Sequence, residues 1–481
     1  MVQLRPILLP LGLMLCAVAA AMLLPALVDL ADRHQGWQVF VASALATFFA
    51  GGLLVLLSYD DRPTRLGLKD GFLFTTLAWV VVAGFGAIPF IGQGMTVTDA
   101  YFETMSGLTT TGSTVISGLE NQPRGLLLWR CMLCGIGGLG IIAVAIIVLP
   151  FLRVGGMQLF QTESSDKSEK ILPRAVELTA AIAGVYFGLI LLCAIAYAFA
   201  GMSVFDAVCH SLSTVATGGF ANYDASFAKY DSVSIEVVGS VFMVLGALPF
   251  VALIKALRGD GMSLWTDVQI RGFIMFLVAV SVILALWLTM TREMSFLQAL
   301  RLSSFNVVSI VTTTGFMSDD YQLWGNFALG VFFILTLVGG CSGSTSGAIK
   351  IYRLQIAGIL TRGHFVHLIS PNRVVTMSYN GRRLPPDVPF SVIAFLVIYL
   401  GTIGIVAVLL TALGLDLVTA LTASATALGN VGPGLGPIIG PAGNFTPLPD
   451  AAKWVLSFQM LLGRLELFTV LVLLRPEFWR S

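Results

Sequence analysis

Four times along its 481 residues the chain carries a short Thr/Gly stretch, each behind a half-length apolar segment and ahead of a much longer apolar run. The copies are Thr109-Thr110-Thr111-Gly112-Ser113, Val215-Ala216-Thr217-Gly218-Gly219-Phe220, Thr312-Thr313-Thr314-Gly315-Phe316 and Gly429-Asn430-Val431-Gly432-Pro433-Gly434. Aligned on Gly112, Gly218, Gly315 and Gly432, they lie 106, 97 and 117 positions apart. Such a recurrence constrains the fold more than any local propensity, because it means one supersecondary unit built four times.

The runs between the copies set the solvent. With 57% hydrophobic and 11% charged residues and a mean hydropathy of +0.90, a soluble globular chain is excluded and a polytopic membrane protein in a lipid bilayer is implied. Hydrocarbon needs roughly 20 apolar residues per crossing helix, which gives ten expected spans: 7–29, 37–57, 72–92, 125–151, 178–201, 234–254, 272–290, 323–349, 389–412 and 451–474. Arg5 and Ala19-Ala20-Ala21 give the first run a look of a cleaved signal, but its apolar core is too long, so a retained helix is expected. An even number of spans puts both termini on one side. Placing them in the cytoplasm puts 19 of the 27 Lys and Arg in inner connections, among them Arg62, Arg65, Lys69, Arg153, Lys167, Lys170, Lys255, Arg258, Arg362 and Arg373. A net charge of +1 offers nothing for nucleic acid. All six cysteines fall in or beside apolar runs, and the Cys131-x-x-Cys134 pair reads as packed thiols and not as a metal or redox site.

After two leading helices the layout repeats: long helix, short segment, Thr/Gly stretch, long helix, basic inner connection. The expected division is a helix pair at 1–60, then units at 61–155, 156–260, 261–385 and 386–481. The short segments 99–110, 206–216, 298–312 and 416–428 cannot span and must re-enter, with Asp99, Asp206 and Asp416 opening three of them and Gln298 and Arg301 near the fourth. Irregular backbone at membrane depth survives only beside protein or a water-filled cavity. The expected fold is therefore all-α, with four pseudo-fourfold helix–pore loop–helix repeats around one pore. A dehydrated cation there needs oxygen ligands, which backbone carbonyls supply without fixed charge, and glycine accepts the backbone angles that aligning them demands. The candidate ion-binding residues are Thr110, Thr111, Gly112, Thr217, Gly218, Thr313, Thr314, Gly315, Asn430, Val431 and Gly432.

The stretches "DAYFETMSGLTTTGST", "STVATGGF", "VTTTGF", "GNVGPGLG", "GGCSGSTSGAIK" and "LLGRLELFT" resemble the Trk/Ktr/HKT superfamily of potassium transporters over essentially the whole chain, and most of all the bacterial Trk-type membrane subunit. The leading helix pair at 7–57 favours the Trk type over the shorter Ktr type. The resemblance implies K+ uptake across the bacterial inner membrane through four covalently linked, non-identical channel-like units. It also implies a homodimer whose protomers each carry a pore, and a cytosolic ring of nucleotide-binding regulatory subunits (TrkA-like). Glycine, not serine, at position 112 favours potassium by the same resemblance. No Thr-Val-Gly-Tyr-Gly signature occurs in any repeat, so rubidium and some sodium passage stay open. No G-x-G-x-x-G opens a βαβ unit, so any nucleotide belongs to the partner and no organic cofactor is expected in this chain.

Gly339, Gly340, Gly343, Ser344, Thr345, Ser346 and Gly347 interrupt the second long helix of repeat three, where glycines at about 1 kcal/mol each and hydroxyl side chains unwind it. A mobile gate under the filter is expected, and the resemblance implies the same. Lys350 to Arg383 then reads as a basic cytoplasmic helix and loop, either a dock for a regulator together with 152–177 and 255–271, or ordinary inner-face charge. Arg464, expected mid-span in the last helix, is a functional-site candidate by default. Glu466 points to another face, so Glu103 is the expected partner, with either a filter buttress or a fixed charge on the conduction path as the role. His210 reads as a hydrogen-bonded helix histidine, and His364 and His367 lack a third ligand. A proton- or sodium-coupled carrier with broken helices predicts two halves of alternating topology, whereas these four units run parallel. No Ser/His/Asp, H-E-x-x-H or paired-carboxylate constellation marks an enzyme.

Overall fold

The computed structural model describes residues 5–60, 67–144 and 171–480. Arg62, Arg65, Arg153, Lys167 and Lys170, with most of the 152–177 connection, lie outside the described residues. Within them the chain is mostly helical. Extended pairing is confined to Ser378–Tyr379 against Arg382–Arg383 and a bridge between Val338 and Ile349.

Among the described residues seven helices are long and apolar enough to cross a membrane, and two bent pairs raise the number to nine. The eighth expected span, 323–349, is not a continuous helix: Asn326–Leu337 stops after 12 residues, and the chain runs irregularly until Ile351–Ile369. Its counterparts in repeats two and four also break, against the expectation of continuous helices there. Val233–Ala247 meets Phe250–Leu257 at 103°, where Pro249 cannot donate into a continuing helix. Asp450–Arg464 meets Phe468–Leu474 at 108°, at Glu466 and Leu467 with φ of 60° and 45°. Arg464 therefore ends a helix instead of sitting mid-span.

The leading pair packs through glycines. A Cβ on Gly12 or on Gly51 would stand 2.8 Å from the other's carbonyl oxygen, the close backbone approach that small residues allow in membranes. The pair docks on repeat one through Asp29, whose Oδ1 accepts the Gly125 N–H at 2.7 Å and so caps Arg124–Ala143 from outside it. Phe49, Leu56, Phe199, Met290 and Ile405 stay exposed on the outer faces, where lipid is their solvent.

The four short helices are Val97–Leu108, Val204–Val215, Phe296–Val311 and Leu417–Gly429. Each starts on a capping side chain: Thr96, Ser203, Ser295 and Asp416 accept the N–H three residues on, from Asp99, Asp206, Gln298 and Thr419. Asp99 and Asp206 thus fill the third helical position, a place Gln298 takes in repeat three, whereas Asp416 is itself the cap. At the other end, a glycine in the following long helix lets the short helix approach: Cβ atoms on Gly137, Gly246 and Gly463 would strike the carbonyls of Leu108, Val215 and Leu428.

Candidate functional site

Every short helix ends in the same turn. Thr110, Thr217, Thr313 and Asn430 adopt φ of 51°, 51°, 60° and 54°. The next N–H reaches back five residues, from Thr111 to Ser106, Gly218 to Ser213, Thr314 to Ser309 and Val431 to Thr426, at 2.8, 2.8, 2.8 and 3.1 Å. This is the hydrogen bonding of a Schellman end, yet three of its four left-handed residues are β-branched threonines, for which positive φ is a strained exception. Strain of this kind, of order 1–3 kcal/mol per residue, collects at functional sites.

Two residues past each of these comes a glycine at positive φ: Gly112, Gly219, Gly315 and Gly432, at 86°, 72°, 83° and 108°. In repeat two the ring glycine is accordingly Gly219. Gly218, the counterpart of Gly112 by sequence, occupies the place of Thr111, Thr314 and Val431. Two adjacent glycines left that register ambiguous, and the backbone angles resolve it.

The four glycines form a closed cycle. A Cβ on Gly112 would stand 2.6 Å from Gly218 O, and one on Gly432 would stand 2.7 Å from Thr111 O. One on Gly219 would meet Thr314 O, and one on Gly315 would meet Val431 O, both closer still. Each repeat thus abuts the carbonyl of the next, in the order one, two, three, four, one. Ser113 Oγ donates to Gly432 O at 2.8 Å, and Asn430 Nδ2 donates to Thr111 Oγ1 at 3.0 Å. On one side of the ring opens a cavity of about 120 Å³ bordered by Gly112, Gly219, Gly315 and Gly432.

Polar side chains on the short helices brace the chain just past the ring glycines. Glu103 Oε2, Asn306 Oδ1 and Thr422 Oγ1 accept the N–H of Val115, Ser318 and Leu435, each three residues past its ring glycine, at 2.9, 3.4 and 3.0 Å. In repeat two the bond runs between side chains, from Asn222 Nδ2 to Asp206 Oδ1 at 2.8 Å. Cys134 Sγ adds a weak contact to Gly218 O at 3.8 Å. Sequence reasoning missed this bracing. Its signal in repeats one, three and four was a polar residue seven or eight positions before the left-handed one; in repeat two Asp206 lies 11 positions before Thr217.

Glu103 does not pair with Arg464. Its carboxylate is bound by Arg130 Nε at 2.7 Å, with both side chains almost wholly buried. Arg464 Nη1 instead donates to Thr345 O at 2.7 Å, and Nη2 reaches Gly137 O at 3.4 Å. Glu466 pairs with Arg353 at 2.5 Å. Lys350 and Arg353, expected in a cytoplasmic segment, are both buried. His210 is buried within its short helix, with Nδ1 2.8 Å from Asp206 O. His364 and His367 are exposed on Ile351–Ile369. Among the described residues no group of three or more His, Cys, Asp or Glu side chains is arranged for a metal.

The segment 339–347 lies directly under the ring. Gly339 N–H bonds Ile349 O at 2.9 Å, and Cys341 and Thr345 N–H bond Ala247 O and Gly246 O at 2.9 and 3.2 Å. A Cβ on Gly340 would stand 2.6 Å from Ser346 Oγ, and one on Gly347 would strike Gly429 O, whereas Gly343 has open space beside it at φ 73°. A cavity of about 20 Å³ touches Gly343, Ser344, Lys350, Arg464 and Glu466, with room for about one water.

Half-length helices that end at a shared glycine ring, inside a bundle of apolar helices, define a polytopic membrane protein of the transport class. The chain belongs to the TrkH family of cation transport proteins, whose model matches residues 36–481. It is 45% identical over 479 residues, 99% of its own length and 97% of the relative's, to the Trk system potassium uptake protein TrkI of Halomonas elongata. Identity to the Trk system potassium uptake protein TrkH of Escherichia coli K12 is 35% over 478 residues, 98% of each chain. The crystal structure of the potassium transporter TrkH from Vibrio parahaemolyticus superposes with a TM-score of 0.92 at 35% identity, covering 99% of this chain and all of that one.

Proposed function

We propose that this chain conducts potassium into the cell across the bacterial inner membrane, with the glycine ring as its selectivity filter. The observation that carries the reading is the closed cycle in which Gly112, Gly219, Gly315 and Gly432 each abut the next repeat's carbonyl. Four ring segments held that close bring the carbonyls of Thr111, Gly218, Thr314 and Val431 around one axis, an oxygen lining suited to a desolvated monovalent cation. The names of the relatives, potassium uptake proteins and a potassium transporter, support the choice of ion. Inward movement needs no ATP split here, since an inside-negative potential supplies about 2.3 kcal/mol per charge per 100 mV. The unit boundaries near 61, 156, 261 and 386 follow from the same reading, as do both termini in the cytoplasm.

Segment 339–347 serves as the gate, and the inner face takes a cytosolic nucleotide-binding regulatory subunit on a homodimer of this chain. Arg464 belongs to the gate, because its guanidinium holds the Thr345 carbonyl. Arg464→Gln is expected to raise uptake several-fold with membrane abundance unchanged; loss of folded protein would assign it to a structural buttress instead. The primary test is ⁸⁶Rb⁺ uptake by a bacterium lacking its own potassium transport and carrying this chain with a matching regulatory subunit. Rescue of growth at low potassium, competed by K⁺ and lost in Gly315→Ser, is the expected result. No potassium-dependent rescue with insertion verified would overturn the reading.

A further inference from the structure

The gate segment is bonded to a particular set of oxygens. Near the C-terminal ends of three short helices, the carbonyls of Val215, Thr312 and Gly429 face donors from this segment and the residue after it: Thr345 Oγ1 at 3.1 Å, its one proton shared with Gly246 O at 2.9 Å, Ser346 Oγ at 2.8 Å and Ala348 N–H at 2.8 Å. Two of the four left-handed side chains are engaged as well. Thr217 Oγ1 lies 3.1 Å from Thr345 Oγ1, and Thr313 Oγ1 accepts the Gly347 N–H at 2.7 Å. Their counterpart in repeat one, Thr110 Oγ1, is fully buried with no hydrogen-bond partner.

Helix-end carbonyls carry the negative end of the helix dipole. Together with ring hydroxyls they make an oxygen shell that suits a desolvated cation at the inner end of the filter. To these oxygens the segment presents hydroxyl and amide donors, and positive charge stands behind those donors: Lys350 Nζ bonds Ser346 O and Arg464 Nη1 bonds Thr345 O. Donors backed by fixed positive charge are an electrostatic stand-in for a cation. The small side chains fit this role, since Gly347 approaches Gly429 O too closely for any Cβ.

We propose that the segment is a tethered competitor for the inner end of the filter, so that its seating and cation occupancy of these oxygens exclude one another and the permeant ion itself favours release of the gate. The inference rests on reading the ring as a cation filter. Linkage makes the effect reciprocal: whatever loosens the segment raises cation affinity at this level by the same factor. A plug that only filled space would show no dependence on the ion.

The test is hydrogen–deuterium exchange of the peptide spanning 338–350 in the full-length protein in lipid nanodiscs, with KCl exchanged against choline chloride at constant ionic strength. Protection of the Gly347 and Ala348 amides is expected to fall as KCl rises, with RbCl acting likewise and choline chloride inert. Ser346→Ala, which removes the donor to Thr312 O, is expected to lower the half-effect concentration of K⁺ by about two- to tenfold, the weight of one hydrogen bond. Protection that is constant or rises with KCl, in a preparation that still takes up ⁸⁶Rb⁺ in proteoliposomes, would overturn the competition and leave the transport reading standing. Absent ⁸⁶Rb⁺ uptake strikes the transport reading instead.

Discussion

Gly219→Ala and Gly315→Ala are expected to reduce ⁸⁶Rb⁺ uptake by at least tenfold and to erode discrimination against Na⁺, while Gly112→Ala and Gly432→Ala do so less severely. The ranking follows from the cycle, in which the Cβ positions of Gly219 and Gly315 fall closer to the next repeat's carbonyl than the 2.6 and 2.7 Å at Gly112 and Gly432. The obstacle is main chain, which cannot rotate aside as a long side chain does. Overpacking costs about 1–3 kcal/mol, and holding an L side chain at positive φ adds roughly 1–2 kcal/mol. A few kcal/mol placed on the conducting form is one or more factors of ten in rate. Gly201→Ala isolates the second contribution, because Gly201 sits at φ 110° with nothing within 4 Å; uptake there should stay near wild type. Equal losses at all four ring positions would argue that only backbone freedom matters and that the repeats do not abut as the cycle requires.

That asymmetry was only partly legible in the sequence. Period and composition announce four units, because a half-length apolar segment followed by Thr/Gly is a local pattern and every copy keeps it. The register of the second copy was not legible: Gly218 and Gly219 are chemically identical neighbours, and only the distance of two residues from a left-handed Thr217 distinguishes them. Charge pairing was misread for a related reason. Arg464 and Glu103 are conspicuous in an apolar sequence, but the partner of Glu103 is Arg130, 27 positions away on the next long helix. Arg130 falls inside the expected span 125–151, where nothing local marks it as the partner of Glu103. The helix breaks at Pro249 and Glu466 went unpredicted because neither segment is rich in glycine. One proline suffices in the first, and in the second two residues at positive φ, Glu466 and Leu467, turn the chain. The interruption at 339–347, by contrast, is legible at once, since its glycines and hydroxyls are incompatible with an uninterrupted helix.

The second large effect is expected from the ion pair behind the first strand. Arg130→Gln leaves the Glu103 carboxylate buried with Val115 N–H and the Thr114 hydroxyl as its remaining partners, and Glu103→Gln leaves the guanidinium without a counter-charge, held by Ala221 O at 3.0 Å, Thr114 Oγ1 at 3.2 Å and the Phe220 ring 4.2 Å away. Removing one member of a buried pair costs about 3–5 kcal/mol, enough to deplete the folded protein from the membrane. The repeats themselves supply a neutral alternative. Asn306 stands at the same place in repeat three, seven residues before the left-handed threonine, and its amide meets the Ser318 N–H without any charge. The double variant Glu103→Gln with Arg130→Gln should therefore recover much of the abundance and melting temperature that each single variant loses, measured by fluorescence-detected size exclusion and a detergent melt. Singles as stable as wild type would show that the pair does not hold the strand. A double variant that folds but passes Na⁺ more freely would place the charge in the electrostatics of the filter, where a fixed carboxylate 2.9 Å from the Val115 N–H stiffens the first strand more than an amide can.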